Sequence, residues 1–317
     1  MEKVSVVVCT YNGEKYISTQ LDSILKQTYP IYEVIIQDDN STDGTWGILQ
    51  EYASKYANVH IFRNEKNLGV NANFFSAIRK AQGDYIAISD QDDIWHSDKI
   101  EKQMTKIGDK LLCSCHSKPF SDDGAYIYYD PRTPNYNLIR LVFDGLPGHT
   151  MLFKRELFTE IMPKDNELYH VSFYDVAFEL AAGAFDSIAY VDEVLVDFRR
   201  HTDATTYSGH KHNGSNLSNA IYMIYWCLFN WRRVRPVARK LWHARLEFLK
   251  VINANTPSYN NTVKMLELEL QDGLLPAIKL QRLFLKNYRI LFHTVGGGLV
   301  KKIRAFLFPL LQYYHYR

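Results

Sequence analysis

The 317-residue sequence is poor in cysteine: Cys9, Cys113, Cys115 and Cys227 are too few to staple a chain of this size. Cys113 and Cys115 alternate along an expected strand, and no second Cys or His pair completes a zinc site. A reducing compartment is therefore expected. No apolar run reaches the roughly eighteen residues that a membrane-crossing helix needs. The opening "MEKVSVVVCT" turns polar too soon for a signal peptide. A glycine-rich phosphate loop is also missing, since the first apolar run leads into "TYNGEKY", neither G-x-G-x-x-G nor G-x-x-x-x-G-K-[ST]. Finally, no Asp or Glu occurs between Gly273 and Arg317.

What is present describes a packed globular chain, 46% hydrophobic and 14% aromatic. The net charge of +2 hides an asymmetry: 20 Lys/Arg against 31 Asp/Glu in residues 1–203, and 17 against 4 in 204–317. An acidic front carrying a basic tail suggests two jobs.

"VSVVVCT" (4–10) is a continuous β-branched run, as expected of a strand buried on both faces. Tyr16, Ile17, Leu21, Ile24 and Leu25 then recur at helical spacing until Pro30. "YEVIIQ", "VHIFRN" and "DYIAIS" read as three further strands, with helices from Thr45, capped by Asp43 or Thr42, and over Val70–Ala81. This alternation predicts βαβ units and a mostly parallel sheet. Beyond Asp98, "LLCSCHS", "YIYY" and "PGHTMLF" read as strands. "SFYDVAFELAAGAF" reads as a helix with Phe173, Val176, Ala177 and Leu180 on one face, and "IAYVDEVLVDFRRH" as two short strands. The polar segment 202–216 is the expected boundary before five helical stretches.

Polar clusters fall where each early strand ends: Thr10-Tyr11-Asn12, Asp38-Asp39, Asn64 to Asn67, and Asp90-Gln91-Asp92-Asp93. The carboxyl ends of a parallel sheet are where ligands bind. Close carboxylates repel one another unless a cation sits among them. The last cluster is thus either a solvated turn or a hard-cation site of the kind that meets Mg²⁺ or Mn²⁺ and ligand phosphates.

"VSVVVCTYNGEKYISTQLDSILKQTY", "VIIQDDNSTDGT", "NLGVNAN" and "AQGDYIAISDQDDIW" resemble, in order and spacing, the inverting family 2 glycosyltransferases, in particular the bacterial polysaccharide and rhamnosyltransferase branch. The resemblance covers about residues 3–203. It implies a GT-A α/β fold over 1–205, with a nucleotide-binding half (1–95) and an acceptor half (96–205); the residues beyond read as a helical basic extension (206–317). It implies a UDP- or dTDP-sugar donor, a saccharide acceptor that is lipid-linked, and a divalent cation. By position, Thr10 and Tyr11 match the base pocket, and Asp39 matches the carboxylate facing the pyrimidine, with Asp38 supporting its loop. Asn67 and Asn73 border the nucleotide. Asp90 matches the carboxylate facing the ribose or sugar, Asp92 the metal ligand and Asp93 a second ligand. Asp175 matches the general base, although Tyr174 before it and Val176-Ala177 after it depart from the usual motif. Asp175 could instead merely cap its helix, and Glu179 is the next candidate. Arg199 and His201 match the family's Y-R-x-H segment, for the diphosphate and the metal shell, and His149 lies in a stretch under the acceptor.

In the tail, Trp226, Phe229, Trp231 and Trp242 mix with Arg232, Arg233, Arg235, Arg239 and Lys240. Such helices read as peripheral elements on an anionic inner membrane face, or as a cap packed on the catalytic domain. No nucleic-acid module accompanies the charge. The competing functions are a sugar-phosphate nucleotidylyltransferase, which would show a glycine-rich basic loop, and a non-catalytic nucleotide-sugar-binding or membrane scaffold protein.

Overall fold

The computed structural model describes residues 1–202 and 217–316, so the expected boundary segment lies, but for Thr202, outside the described residues. β1 (Val4–Thr10) is buried at every position, as its unbroken apolar run requires. α1 (Ile17–Leu25) buries Ile17, Leu21 and Ile24 at i, i+4 and i+7. β2 (Ile31–Asp38), α2 (Thr45–Lys55), β3 (Val59–Arg63), α3 (Val70–Ile78) and β4 (Tyr85–Ser89) complete the alternation. Asp43 Oδ1 accepts from Thr45 N at 3.0 Å and so serves the first turn of α2. β1 pairs in parallel with β2 on one side and β4 on the other. Strand order therefore reverses between β1 and β4, and a crevice opens at their carboxyl ends.

Next come β5 (Ile94–Trp95), α4 (Lys99–Ile107), β6 (Leu112–Phe120), α5 (Leu138–Leu141), β7 (Leu152–Lys154), α6 (Leu168–Val171), α7 (Tyr174–Ala184) and β8 (Ile188–Arg199). The sheet has eight strands in the order β3-β2-β1-β4-β7-β6-β8-β5. β7 runs antiparallel to β4 and β6, and β5 antiparallel to β8. The parallel expectation thus holds for the first four strands, and the sheet as a whole is mixed.

Three local expectations change. "YIYY" (126–129) forms no strand; Tyr126, Tyr128 and Tyr129 line the crevice instead, and Ile127 and Tyr128 are exposed. Gly148–Thr150 makes a 3₁₀ turn before β7 begins. Residues 188–199 form one strand, whose register with β6 shifts so that Val191 and Val194 face Cys115 and His116 in succession. The charged Asp192 and Glu193 between them are expelled as a bulge, and the strand continues.

The tail forms α8 (Leu217–Ile252), α9 (Pro257–Glu269), α10 (Leu274–Lys286) and α11 (Leu299–Leu311). The first two expected stretches fuse into α8, which runs through Pro236. These helices share a core with the acceptor half: Trp242, Phe248 and Phe284 belong to one apolar cluster with Phe153 and Phe178. Arg245 Nη1 donates to Val142 O (2.6 Å) and Thr256 Oγ1 to Ala184 O (2.9 Å), fastening the two parts together. Trp242 is therefore a core residue and not a surface aromatic, Trp226 and Trp231 are partly buried, and Phe229 stands open.

Candidate active site

The crevice between β1 and β4 is an open cleft of about 1190 Å³. Its nucleotide-side wall is built from short polar side chains tied to neighbouring loops. Thr10 Oγ1 donates to Asp38 Oδ1 (3.0 Å), and Asp38 accepts from Ser41 N (3.0 Å) and faces Arg63 Nε at 3.3 Å. Asp38 is wholly buried and holds its loop. Asp39 lines the cleft while accepting from Leu68 N and Gly69 N, both at 2.8 Å, and from Asn64 Nδ2 at 2.7 Å. A carboxylate offers about four acceptor positions, so roughly one remains for a ligand donor. Gly69 has φ 84°, where a side chain would be strained. Asn67 lines the cleft and accepts from Gly69 N (3.1 Å). Asn73 also lines the cleft; it is largely buried and bridges Asn64 to Gln37 O, bracing the wall. Tyr11 is exposed at the cleft mouth.

The acidic turn after β4 divides into two groups. Asp92 Oδ2 lies 2.9 Å from His201 Nε2. Asp90 and Asp93 instead flank His149, whose Nδ1 is 3.6 Å from Asp90 and 3.8 Å from Asp93. Asp93 is thus not beside Asp92 and His201 but turned inward, fully buried, with Oδ1 accepting from Arg199 N (3.0 Å). His149 is buried, stacked on Phe198 with ring centres 4.7 Å apart. Arg199 locks the arrangement: Nε donates to Asp92 O (2.8 Å), the guanidinium pairs with Asp122, and it lies over the rings of Tyr16 and Phe120. Burial pushes the Asp92 and Asp93 carboxyls up, and Asp90 adds to both shifts. Burial opposes charging His149, but Asp93 and Asp90 outweigh it and raise its pKa. Asp93 Oδ2, His149 Nε2 and His201 Nδ1 are buried without partners. Carboxylate oxygens and imidazole nitrogens left unpaired in this way fit a hard divalent cation.

Asp175 stands in the first turn of α7 and lines the cleft. Burial, helped by the nearby charge of Asp90, pushes its pKa up to about 6. Its oxygen reaches the N–H of Val176 at 2.9 Å, while Phe173 holds the cap position without a side-chain bond. The start of α7 is set by Asn71 of α3, whose Oδ1 accepts from Tyr174 N (2.9 Å). Asn71 Nδ2 donates to Tyr169 O (2.9 Å) and Ser172 O (2.6 Å). Tyr174 fills the space beside Gly148, where a Cβ would come within 2.3 Å of its hydroxyl oxygen. Glu179 does not reach the cleft: it is fully buried, accepts from Leu146 N (2.6 Å), and burial raises its pKa well above the carboxyl range.

Two residues escaped sequence reasoning. Asn71 sits inside the quoted "NLGVNAN", where nothing local distinguishes it from Asn67 and Asn73. Gln91 accepts from Tyr11 N (2.9 Å) and donates to Tyr11 O (3.1 Å), joining the ends of β1 and β4 as a ladder pair would. An amide amid three carboxylates was the available signal.

Residues 5–162 match the model of Glycosyl transferase family 2. The chain belongs to that family. A relative named as the teichuronic acid biosynthesis glycosyltransferase TuaG of Bacillus subtilis is 44% identical over 101 residues, 32% of this chain and 40% of that one. Glycosyltransferase EpsH of the same organism is 32% identical over 215 residues, 62% of this chain and 61% of that one. The chain thus spans between two-fifths and about three-fifths of the length of these relatives. Its backbone is similar to residues 1–349 of S. aureus TarS, crystallised with UDP-GlcNAc, at a TM-score of 0.60 and 18% identity. That likeness covers 99% of this chain and 89% of the other, so the GT-A fold with its helical tail is shared.

Proposed function

We propose that the chain transfers a sugar from a UDP- or dTDP-sugar to a saccharide acceptor in bacterial surface polysaccharide synthesis, inverting the anomeric centre. The observation that carries this reading is one cleft holding both an acidic, cation-ready turn and a separate half-buried carboxylate, Asp175. The wall formed by Thr10, Tyr11 and the free acceptor position of Asp39 suits a pyrimidine N–H. Asp92 and His201 would hold Mg²⁺ or Mn²⁺. The Asp90–Asp93–His149 group, whose ligand atoms lie within 4.8 Å of one another, is the second fitting set. Such an ion, when bound, stabilises charge on the departing diphosphate. Asp175, with its pKa near neutrality, accepts the proton of the acceptor hydroxyl as that oxygen attacks. Arg199 keeps the turn in place, since its guanidinium is already committed within the protein.

The acceptor is read as lipid-linked and the enzyme as peripheral at the inner membrane face, because the tail is strongly basic. No helix among the described residues is long and apolar enough to cross a membrane.

The test is a panel of nucleotide sugars scored for nucleoside diphosphate release with and without chelator. One donor should give cation-dependent, acceptor-stimulated turnover, and Asp92→Asn should lower it by about a thousandfold or more while the fold melts normally. Turnover unaffected by chelator in both proteins removes the cation role. No turnover with any donor and acceptor, despite tight nucleotide-sugar binding, leaves the binding-protein alternative.

A further inference from the structure

α10 and α11 pack against each other: Gln281 Nε2 donates to Phe306 O (3.2 Å), and Phe284 meets Phe308 edge-on at 5.1 Å. Their inner faces are apolar and buried through Leu280, Leu283 and Phe284 on one helix and Ala305 and Phe308 on the other. Their outer faces are also apolar. Leu274 and Ile278 stand one turn apart on α10, and Leu299, Ile303 and Phe306 follow at i, i+4 and i+7 on α11. Leu274 is 78% and Leu299 75% exposed, far beyond what isolated surface apolar residues require.

Cations line this stripe. Lys279, Arg282 and Lys286 form a second row on α10, while Lys302 and Arg304 flank Ile303 on α11, and all five are exposed. None has a carboxylate partner among the described residues. The nearest acids along the chain are engaged, Asp272 with Arg235 and Arg239, and buried Glu269 with Gln312.

We propose that this outer face of α10 and α11 is the surface by which the enzyme lies on an anionic lipid bilayer. The helices lie in the membrane plane, with the apolar stripe in the acyl boundary and the cations among the headgroups. A nucleic acid would satisfy the cations and leave the stripe in water. A second copy docked about a twofold axis would set cations against cations. A bilayer of acidic lipid satisfies both. The inference deepens the membrane reading above and rests on it for the acceptor's location, but not on the transfer chemistry.

Flotation of the full chain with vesicles tests it. The protein should rise with vesicles containing about one-third phosphatidylglycerol, stay behind with pure phosphatidylcholine, and detach in high salt. Lys279→Glu/Arg282→Glu/Lys286→Glu should weaken partitioning about tenfold or more. Ile303→Asp/Phe306→Asp should abolish it with an unchanged melting profile. Asp92→Asn should float like wild type, which separates failure of docking from failure of transfer. Equal flotation on both vesicle types, or both surface variants floating like wild type, would overturn the assignment. So would a dimer in solution that Phe306→Asp breaks while no vesicle binding is seen.

Discussion

The two halves of the catalytic region position their functional groups by different means. In the first, the cleft wall is wired by short polar side chains: Asp39 holds Leu68 and Gly69, Asn73 braces Asn64, and Gln91 clamps Tyr11. In the second, Asp175 rides on a helix whose residues from Ala177 to Ala184 are all buried, in a core shared with the tail. The proposed donor side is thus fixed locally by hydrogen bonds, and the proposed base is fixed at long range by packing. A defect on one side should alter donor binding, whereas a defect on the other should alter turnover.

Asp175→Asn sharpens that contrast most. Turnover should fall by about 10²–10⁴-fold while the donor dissociation constant stays near wild type. In the unaltered enzyme, the base must be ionised, so activity should rise with pH through about 6 and fall below it. A pH–rate profile showing no ascending limb there would remove Asp175 from the role. Asn71→Ala tests the hydrogen-bonded link from α3 to the start of α7, which carries the proposed base. We expect about a tenfold lower kcat, little change in donor affinity, and no further loss when added to Asp175→Asn. A loss that multiplies instead would mean that Asn71 acts elsewhere.

The smallest effect concerns the tail. Glu269 is buried and burial lifts its pKa from 4.5 to about 8. Its contribution to stability is fully present below its unfolded pKa and declines as pH rises through about 8. Glu269→Gln should flatten that decline, gaining about 1–3 kcal/mol at alkaline pH and almost nothing at pH near 5, as read from denaturant melts. Because the tail shares the core, removing residues 206–317 would strip apolar side chains of cover, so point variants are the cleaner probe.

Much of the first half was legible because β1, β2 and β4 are built on apolar runs and all four strands are followed by polar residues at their carboxyl ends. Asp38, Asp39 and Asp90 stand where that pattern places them. The separation of Asp93 from Asp92 was not legible, because successive residues of a turn point different ways and the partners that sort them are far along the chain. α7 misled for another reason. A helix buried on nearly all sides carries no one-sided stripe, so Phe173 looked like a core residue and is exposed, and Glu179 looked accessible and is not. The strand assigned to 126–129 failed because a short aromatic run does not show whether it pairs in a sheet or lines a cleft, as it does here.

The bonds from Arg199 and His201 to the acidic turn close loops of 106 to 109 residues. Their closure is slow relative to the βαβ contacts formed within the first ninety residues. During synthesis, the parallel strands can therefore collapse while the acidic turn still lacks its basic partners, and the like charges there keep it open. A partly made chain therefore holds the wall built on β1–β3 before the acidic turn gains its partners at the end of β8.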